Sequence, residues 1–192
     1  MMNKTTINNS DSNTSTKPMV RLTGIPASPG IVIGKVFALT GDVVKVEERI
    51  ISPEEVTVEV EKFKRAIDLT RKELAEIQDQ AKQKIGKEGE KIFDAHQLLL
   101  DDKIINEETI VKIQNDCKNA DFVYYNVMQK FQNSLENVND EYFIGRVADI
   151  KDVKRRLIRN IQGKEPQYLN GLTNPAIIVA RDLTPSDTVL LD

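Results

Sequence analysis

The chain has one histidine, His96, and one cysteine, Cys117. Nucleophilic, acid–base and metal chemistry therefore has few side chains to draw on. A zinc site of the usual nitrogen and sulfur ligands needs more than this pair. A lone cysteine forms no internal disulfide, which suits a reducing cytoplasm. His96 lies in residues 86–102, GKEGEKIFDAHQLLLDD. Wound as a helix, this stretch gathers Glu90, Asp94, Gln97 and Asp101 on one narrow arc. Ile92, Phe93, Ala95, His96, Leu98, Leu99 and Leu100 cover most of the rest. That apolar arc is wider than a surface helix needs to face a single core. Either the helix is buried on several sides, or part of its apolar face is reserved for a partner. Glu88, Glu90, Asp94, Asp101 and Asp102 flank it, against Lys87 and Lys91 alone. An apolar centre with an acidic surround is the composition of a docking surface for a basic partner.

Phosphoryl-acceptor chemistry at His96 fits poorly. It needs an exposed ring nitrogen and donors for the phosphoryl oxygens, often from a Gly-rich loop or a helix N-terminus. His96 sits mid-helix between Ile92 and Leu100, with repelling acids nearby. Two readings stay open: a histidine satisfied in the core, or a member of the docking face.

The totals set the wider frame. A chain of 192 residues can hold one or two domains with a real core. Charged residues make up 30% and the net charge is −3, so the protein has no bulk attraction to nucleic acid. Trp is absent and aromatics are 5%, which argues against a base-stacking platform. No apolar run is long enough to span a bilayer, and no signal peptide is read before the fold. The expected location is the cytoplasm.

Several elements must position the His96 stretch. Residues 1–18 are polar, rich in Asn, Ser and Thr, and expected to be disordered. Residues 24–39, GIPASPGIVIGKVFAL, predict a turn at 27–30 and then a strand with a bulge or close approach at Gly34. An extended piece is read around 43–46. Ser52-Pro53-Glu54-Glu55 is a helix start with a capping box. Val56, Val60, Phe63, Ile67, Thr70, Leu74, Ile77 and Ala81 then form a heptad seam running to about Gly86. After the His96 helix comes a shorter helical run at 104–113. Asn119 is placed to cap a third long helix over 120–135, and Asn139-Asp140 a fourth, with Ile144, Val147, Ile150, Val153, Leu157 and Ile161 facing in. Lys154, Arg155, Arg156 and Arg159 suit its C-terminus, and Gly163 ends it. Residues 176–181, AIIVAR, predict a buried-type strand, and Thr184-Pro185-Ser186-Asp187 a new helix cap.

Four stretches occur together and in a recognisable order: ASPGIVIGK at 27–35, IFDAHQLLLDD at 92–102, NDEYFIGRVADIKDVKRRLIRNI at 139–161 and ARDLTPSDT at 180–188. In this order the chain, from about Leu22 onward, resembles Enzyme I, the phosphoenolpyruvate–protein phosphotransferase of bacterial sugar phosphotransferase systems. The resemblance implies a mainly α chain: a four-helix bundle that binds the phosphocarrier HPr, inserted into a partial α/β phosphohistidine domain. It implies a polar tail at 1–21, α/β segments at 22–42 and 163–192, and the helical subdomain at 43–162. In the family a separate barrel binds phosphoenolpyruvate and magnesium, and the parent enzyme is expected to dimerise through it. The family's acceptor histidine lies in a Gly-Gly-x-x-Ser-His loop beyond DLTPS. The sequence as given stops short of that loop, so no catalytic residue is assigned and this chain alone is expected to be inactive.

By the same resemblance, HPr docking falls to Glu88, Ile92, Asp94, His96, Leu98, Leu99 and Asp102, joined by Tyr142, Arg146 and Asp149 from the fourth helix. Ile92, His96 and Leu99 form the apolar centre, with Leu98 at its margin. Glu88, Asp94, Asp102 and Asp149 form an acidic rim. Lys87 stands where the family often has an acid. The alternative is a non-catalytic adaptor that binds a phosphocarrier. Neither nucleic acid nor membrane is an expected partner.

Overall fold

Ser52-Pro53-Glu54-Glu55 forms the start its chemistry allows. The Glu55 carboxylate accepts the Ser52 amide at 2.8 Å, a capping box closes, and Pro53 takes the first helical position. Helix α1 then runs Pro53–Ile85. The computed structural model describes residues 4–6, 20–39, 45–137, 141–165, 175–181 and 183–189. The heptad seam is the spine of its core. Val60, Phe63, Ile67, Leu74, Ile77 and Ala81 are buried, and Val56 packs partly buried against them. Thr70, the polar member, donates its hydroxyl to the Ala66 carbonyl at 2.7 Å and accepts from the Asn160 amide at 2.9 Å, so its burial leaves nothing unpaired.

Gly86, at φ +82, ends α1 and opens α2, Lys87–Leu100. A residue with a Cβ is strained at this angle, which is why glycine turns the corner here. The second leg breaks at Asp101-Asp102. The Asp102 carboxylate accepts the Ile105 amide at 3.0 Å and caps α3, Lys103–Asp116. Helix α4 spans Ala120–Glu136 and α5 Glu141–Ile161, after which Gly163 adopts φ +64. Five helices thus make four legs, α1 and three packed against it, with Phe63, Phe93, Tyr124, Met128, Leu157 and Ile158 buried between them.

Asn119 does not cap α4 with its side chain. Its amide group is spent tying the segment before α1 to the α3–α4 corner: it accepts the Arg49 amide at 2.7 Å and donates to the Glu47 carbonyl at 3.0 Å. Ile50 and Lys118 form an isolated antiparallel bridge there. The first amide of α4, Ala120, is satisfied instead by the Glu59 carboxylate of α1 at 2.8 Å. The basic run of α5 also has a different use from the one expected. Arg156 and Arg159 both reach Glu73 on α1, and Lys154 donates to Gln129 and Gln132 on α4. These are contacts between helices rather than complements to a helix dipole.

The chain divides into two compact units, Met1–Gly34 and Lys35–Asp192. In the first, β1 (Lys4–Thr6) pairs antiparallel with β2 (Val20–Leu22). The tail expected to be disordered thus contributes a short strand. Two adjacent β-branched threonines make Lys4-Thr5-Thr6 the part of that tail suited to a strand. The bends at Ala27-Ser28 and the φ of +138 at Gly30 bear out the turn. The strand expected after it begins later than read. Ile31, Val32, Ile33 and Gly34 are exposed and unpaired, and the ladder starts at Lys35.

In the second unit, β3 (Lys35–Leu39) pairs in parallel with β4 (Ala176–Ala180), Lys35 opposite Ala176 and Leu39 opposite Ala180. The five residues of AIIVA set the length of the ladder. Lys45 and Val46 form no strand, and the rest of the extended piece read at 43–46 lies outside the described residues, as does the Asn139-Asp140 cap. Thr184 caps α6, Pro185–Val189, through a reciprocal pair. The Asp187 amide donates to Thr184 Oγ1 at 3.2 Å, and the Thr184 amide donates to Asp187 Oδ2 at 2.9 Å.

Candidate functional site

Helix α2 is held on two sides. Against α1, Arg71 pairs with Asp101 at 2.7 Å and Gln78 donates to Asp94 at 2.7 Å. Phe93 and Leu100 enter the core on that flank. The other flank packs on α5, and this is where the wide apolar arc is divided.

His96 is 0% exposed. It does not stand at the centre of a surface face, because α5 covers it. Its ring stacks on Phe93 with centroids 5.2 Å apart, and Nδ1 lies 2.9 Å from the Ile92 carbonyl. That contact makes Nδ1 the donor, since a carbonyl oxygen can only accept. Nε2 faces two carboxylates, Asp152 Oδ2 at 3.5 Å and Asp149 Oδ1 at 3.8 Å, without completing a hydrogen bond to either. Burial alone would lower the pKa of the ring. The Asp152 side chain, the Ile92 carbonyl and the charges of Asp152 and Asp149 outweigh it and raise the pKa above the ordinary 6.5. Asp152 is fully buried as well. Burial would raise its pKa, but His96, Arg156, Ser186 and Arg155 together hold it well below the usual carboxylate range.

The apolar surface that remains lies elsewhere on the same helix and its successor. Ile92 is 38% exposed and Leu98 75% exposed, so Leu98 is the more solvent-exposed of the two. Leu99 is partly buried against the core. Ile104, on the first turn of α3, is 77% exposed. It borders a groove lined by Asp102, Ile105, Glu108, Val127, Lys130 and Phe131, between α3 and α4. Sequence reasoning passed over Ile104 and this groove. The signal was the pair Ile104-Ile105 directly after a cap, where one isoleucine must face in and the other out.

The acids divide too. Asp94 and Asp101 are exposed and Asp102 half-buried. Asp149, expected on the rim, is buried. It pairs with the half-buried Arg146 one turn away at 3.1 Å. The side chains of Glu88 and Tyr142 lie outside the described residues. The exposed large apolar side chains of this region are therefore Ile92, Leu98 and Ile104, with Asp94 and Asp101 exposed and Asp102 and Glu108 half-buried in the same stretch.

Among the described residues no group of three or more His, Cys, Asp or Glu side chains could hold a metal ion. No helix among the described residues is long and apolar enough to cross a membrane.

A helical bundle beside a short parallel ladder defines the class: a mainly helical chain joined to an α/β element. Residues 23–146 match the family model described as PEP-utilising enzyme, N-terminal, and the chain belongs to that family. It is 34% identical over 171 residues to the phosphoenolpyruvate-protein phosphotransferase of Buchnera aphidicola subsp. Baizongia pistaciae, covering 89% of this chain and 30% of that protein. It is 37% identical to the protein of the same name from Bacillus subtilis, covering 91% of this chain and again 30% of the relative. The chain thus spans about a third of the length of these relatives. Among solved structures it is similar to that of an Enzyme I protein, nEIt, determined by NMR, with a TM-score of 0.76 at 36% identity over 88% of this chain and 68% of that one. The N-terminal domain of Enzyme 1 – Nitrogen shares the fold, with a TM-score of 0.63 at 20% identity over the same shares.

Proposed function

We propose that this chain is the carrier-docking portion of a phosphoenolpyruvate–protein phosphotransferase, and that its helical block binds the phosphocarrier HPr. The whole enzyme passes a phosphoryl group from phosphoenolpyruvate to a histidine of HPr. This part supplies the surface on which HPr is oriented. The observation that carries the reading is the exposure of three large apolar side chains, Ile92 and Leu98 on α2 and Ile104 on α3, in a stretch that also carries the exposed acids Asp94 and Asp101. Large apolar side chains left exposed on α2 and at the start of α3 gain from burial by a partner. The acids beside them speed the approach of a basic one.

His96 and Asp149 serve this face from beneath. The Ile92 carbonyl is held by the His96 ring, and Arg146 by the Asp149 carboxylate. The groove beside Ile104 extends the contact onto α4 through Phe131 and Val127. Titration of fluorescently labelled HPr tests the reading. Native chain should saturate the signal. Leu98→Asp should lower affinity at least tenfold with helical content unchanged. Native affinity in Leu98→Asp would remove this face from the docking site.

A further inference from the structure

The docking face accounts for the surface of α2 but not for the carboxylate that faces its buried histidine. Asp152 is shared. Its Oδ2 lies 3.5 Å from His96 Nε2 and accepts the Ser186 hydroxyl of α6. Ser186 is fully buried. Asp152 Oδ1 receives Arg155 at 3.1 Å, and Arg155 continues to Thr184 Oγ1 at 3.3 Å and Asp187 at 3.3 Å, both at the start of α6. At the far end of α6, Lys84 of α1 donates to the Val189 carbonyl at 2.9 Å. Among the described residues α6 comprises Pro185–Val189. It is held by what it touches, and its buried polar anchor runs through Asp152.

We propose that His96, Asp152 and Ser186 form a proton-controlled latch that holds α6 on the helical block. With Nδ1 committed to the Ile92 carbonyl, the state of Nε2 decides the sign of its contact with Asp152. Protonated, the ring is a cation beside a buried carboxylate, and Asp152 keeps a balanced environment in which to accept Ser186. Deprotonated, Nε2 turns a lone pair on Asp152 and Asp149 inside a dry site, and the carboxylate is pushed from its place. Charges on every packed element enter the balance. Helix α5 brings Asp149, Asp152, Arg155 and Arg156, and α6 brings Asp187. On α1, Glu73 is engaged by Arg156 and Arg159, and Arg71 by Asp68 and Asp101. On α2 itself, Asp94 is held by Gln78. None of these replaces the proton on Nε2. The latch is closed at acidic to neutral pH and opens as pH rises through the elevated histidine value. It lies wholly within the unit Lys35–Asp192 and does not rest on the carrier reading.

The single histidine makes the test direct. In the full chain, the His96 ring carbons and the backbone amides of Ser186–Val189 are followed by NMR from pH 5 to 9. His96 should titrate with a midpoint above 6.5, and the α6 amides should follow the same curve. Protection of the Thr188 amide, which donates to the Thr184 carbonyl at 3.1 Å, should fall at least threefold across the midpoint after correction for intrinsic exchange. In Ser186→Ala the histidine should still titrate while the α6 amides cease to follow it. A midpoint at or below 6.5, α6 amides that ignore the histidine in native protein, or coupling retained in Ser186→Ala would each overturn the latch. The native curves decide the question alone if Ser186→Ala fails to fold.

Discussion

The Glu59 carboxylate of α1 accepts the backbone amide of Ala120, the first residue of α4, at 2.8 Å, and Glu59 is only 5% exposed. One helix thus caps another across 61 residues of sequence. Arg49 meets the same carboxylate at 2.8 Å, which keeps the buried charge paired. Glu59→Ala should cost about 2 kcal/mol in urea denaturation, since it strands a buried amide and removes a charged acceptor. Glu59→Gln, which keeps an acceptor, should cost about half as much. Equal stability of the native and Ala forms would show that Asn119 or water takes over the cap.

Core and face separate cleanly by substitution. Leu74 is fully buried and Leu98 is not. Leu74→Ala should lose about 2–5 kcal/mol of stability. Leu98→Ala should move stability by less than about 0.5 kcal/mol but weaken HPr binding by about 1–2 kcal/mol, as should Ile92→Ala. Calorimetry of folding and of binding on the same variants reads both effects. A large stability loss in Leu98→Ala would place that side chain in the core.

Asp102 has two tasks, and Asp102→Asn splits them. Asparagine keeps the cap on Ile105 while discarding the charge. The melting temperature should hold within a degree or two, while the salt dependence of HPr association flattens and its rate at low salt falls. An unchanged salt dependence would assign the steering to Asp94, Asp101 and Glu108.

Stability should peak in mildly acidic solution. His96 has a raised pKa in the folded chain, so its contribution is full below 6.5 and is lost as pH climbs through the folded value. Asp152 has a depressed one, so its contribution is full above 3.8 and is lost as pH falls below it. The midpoint of urea unfolding should therefore be highest between about pH 4 and 6.5 and decline on the alkaline side. His96→Gln should flatten that alkaline decline. A decline that persists in the variant would trace it to other groups.

His96 should remain unphosphorylated. Burial and two facing carboxylates shut a phosphoryl group out of its reach. Incubation with magnesium and phosphoenolpyruvate labelled in its phosphoryl group should leave no acid-labile label on this residue, and such a label found there would refute the assignment.

Much of this architecture is legible in local chemistry. The capping box at Ser52, the heptad seam, the glycine at 163 and the threonine cap at 184 each act within a turn or two of their own position, and each forms as read. What sequence hides is who stands opposite. The width of the apolar arc on α2 showed that something covers it, but not that α5 takes the His96 side and leaves the Leu98 side bare. Arg155, Arg156 and Arg159 read as complements to a helix C-terminus until Glu73 and Asp187 arrive from distant segments. Asn119 reads as a cap because its type and place are right, and it is overruled by a carboxylate from another helix. Long-range polar partners leave no periodic trace along the chain.

The parallel ladder bears on how the chain finds its structure. Lys35 pairs with Ala176, and the whole helical block intervenes. In an unfolded chain, bringing such distant strands together carries a large loop-closure entropy. The helical legs form from nearer contacts, and once α1 and α5 lie side by side the distance left for the strands to search is short. The ladder should therefore be a late event, with unfolding rates sensitive to changes in β3 or β4 and folding rates set by the seam of α1.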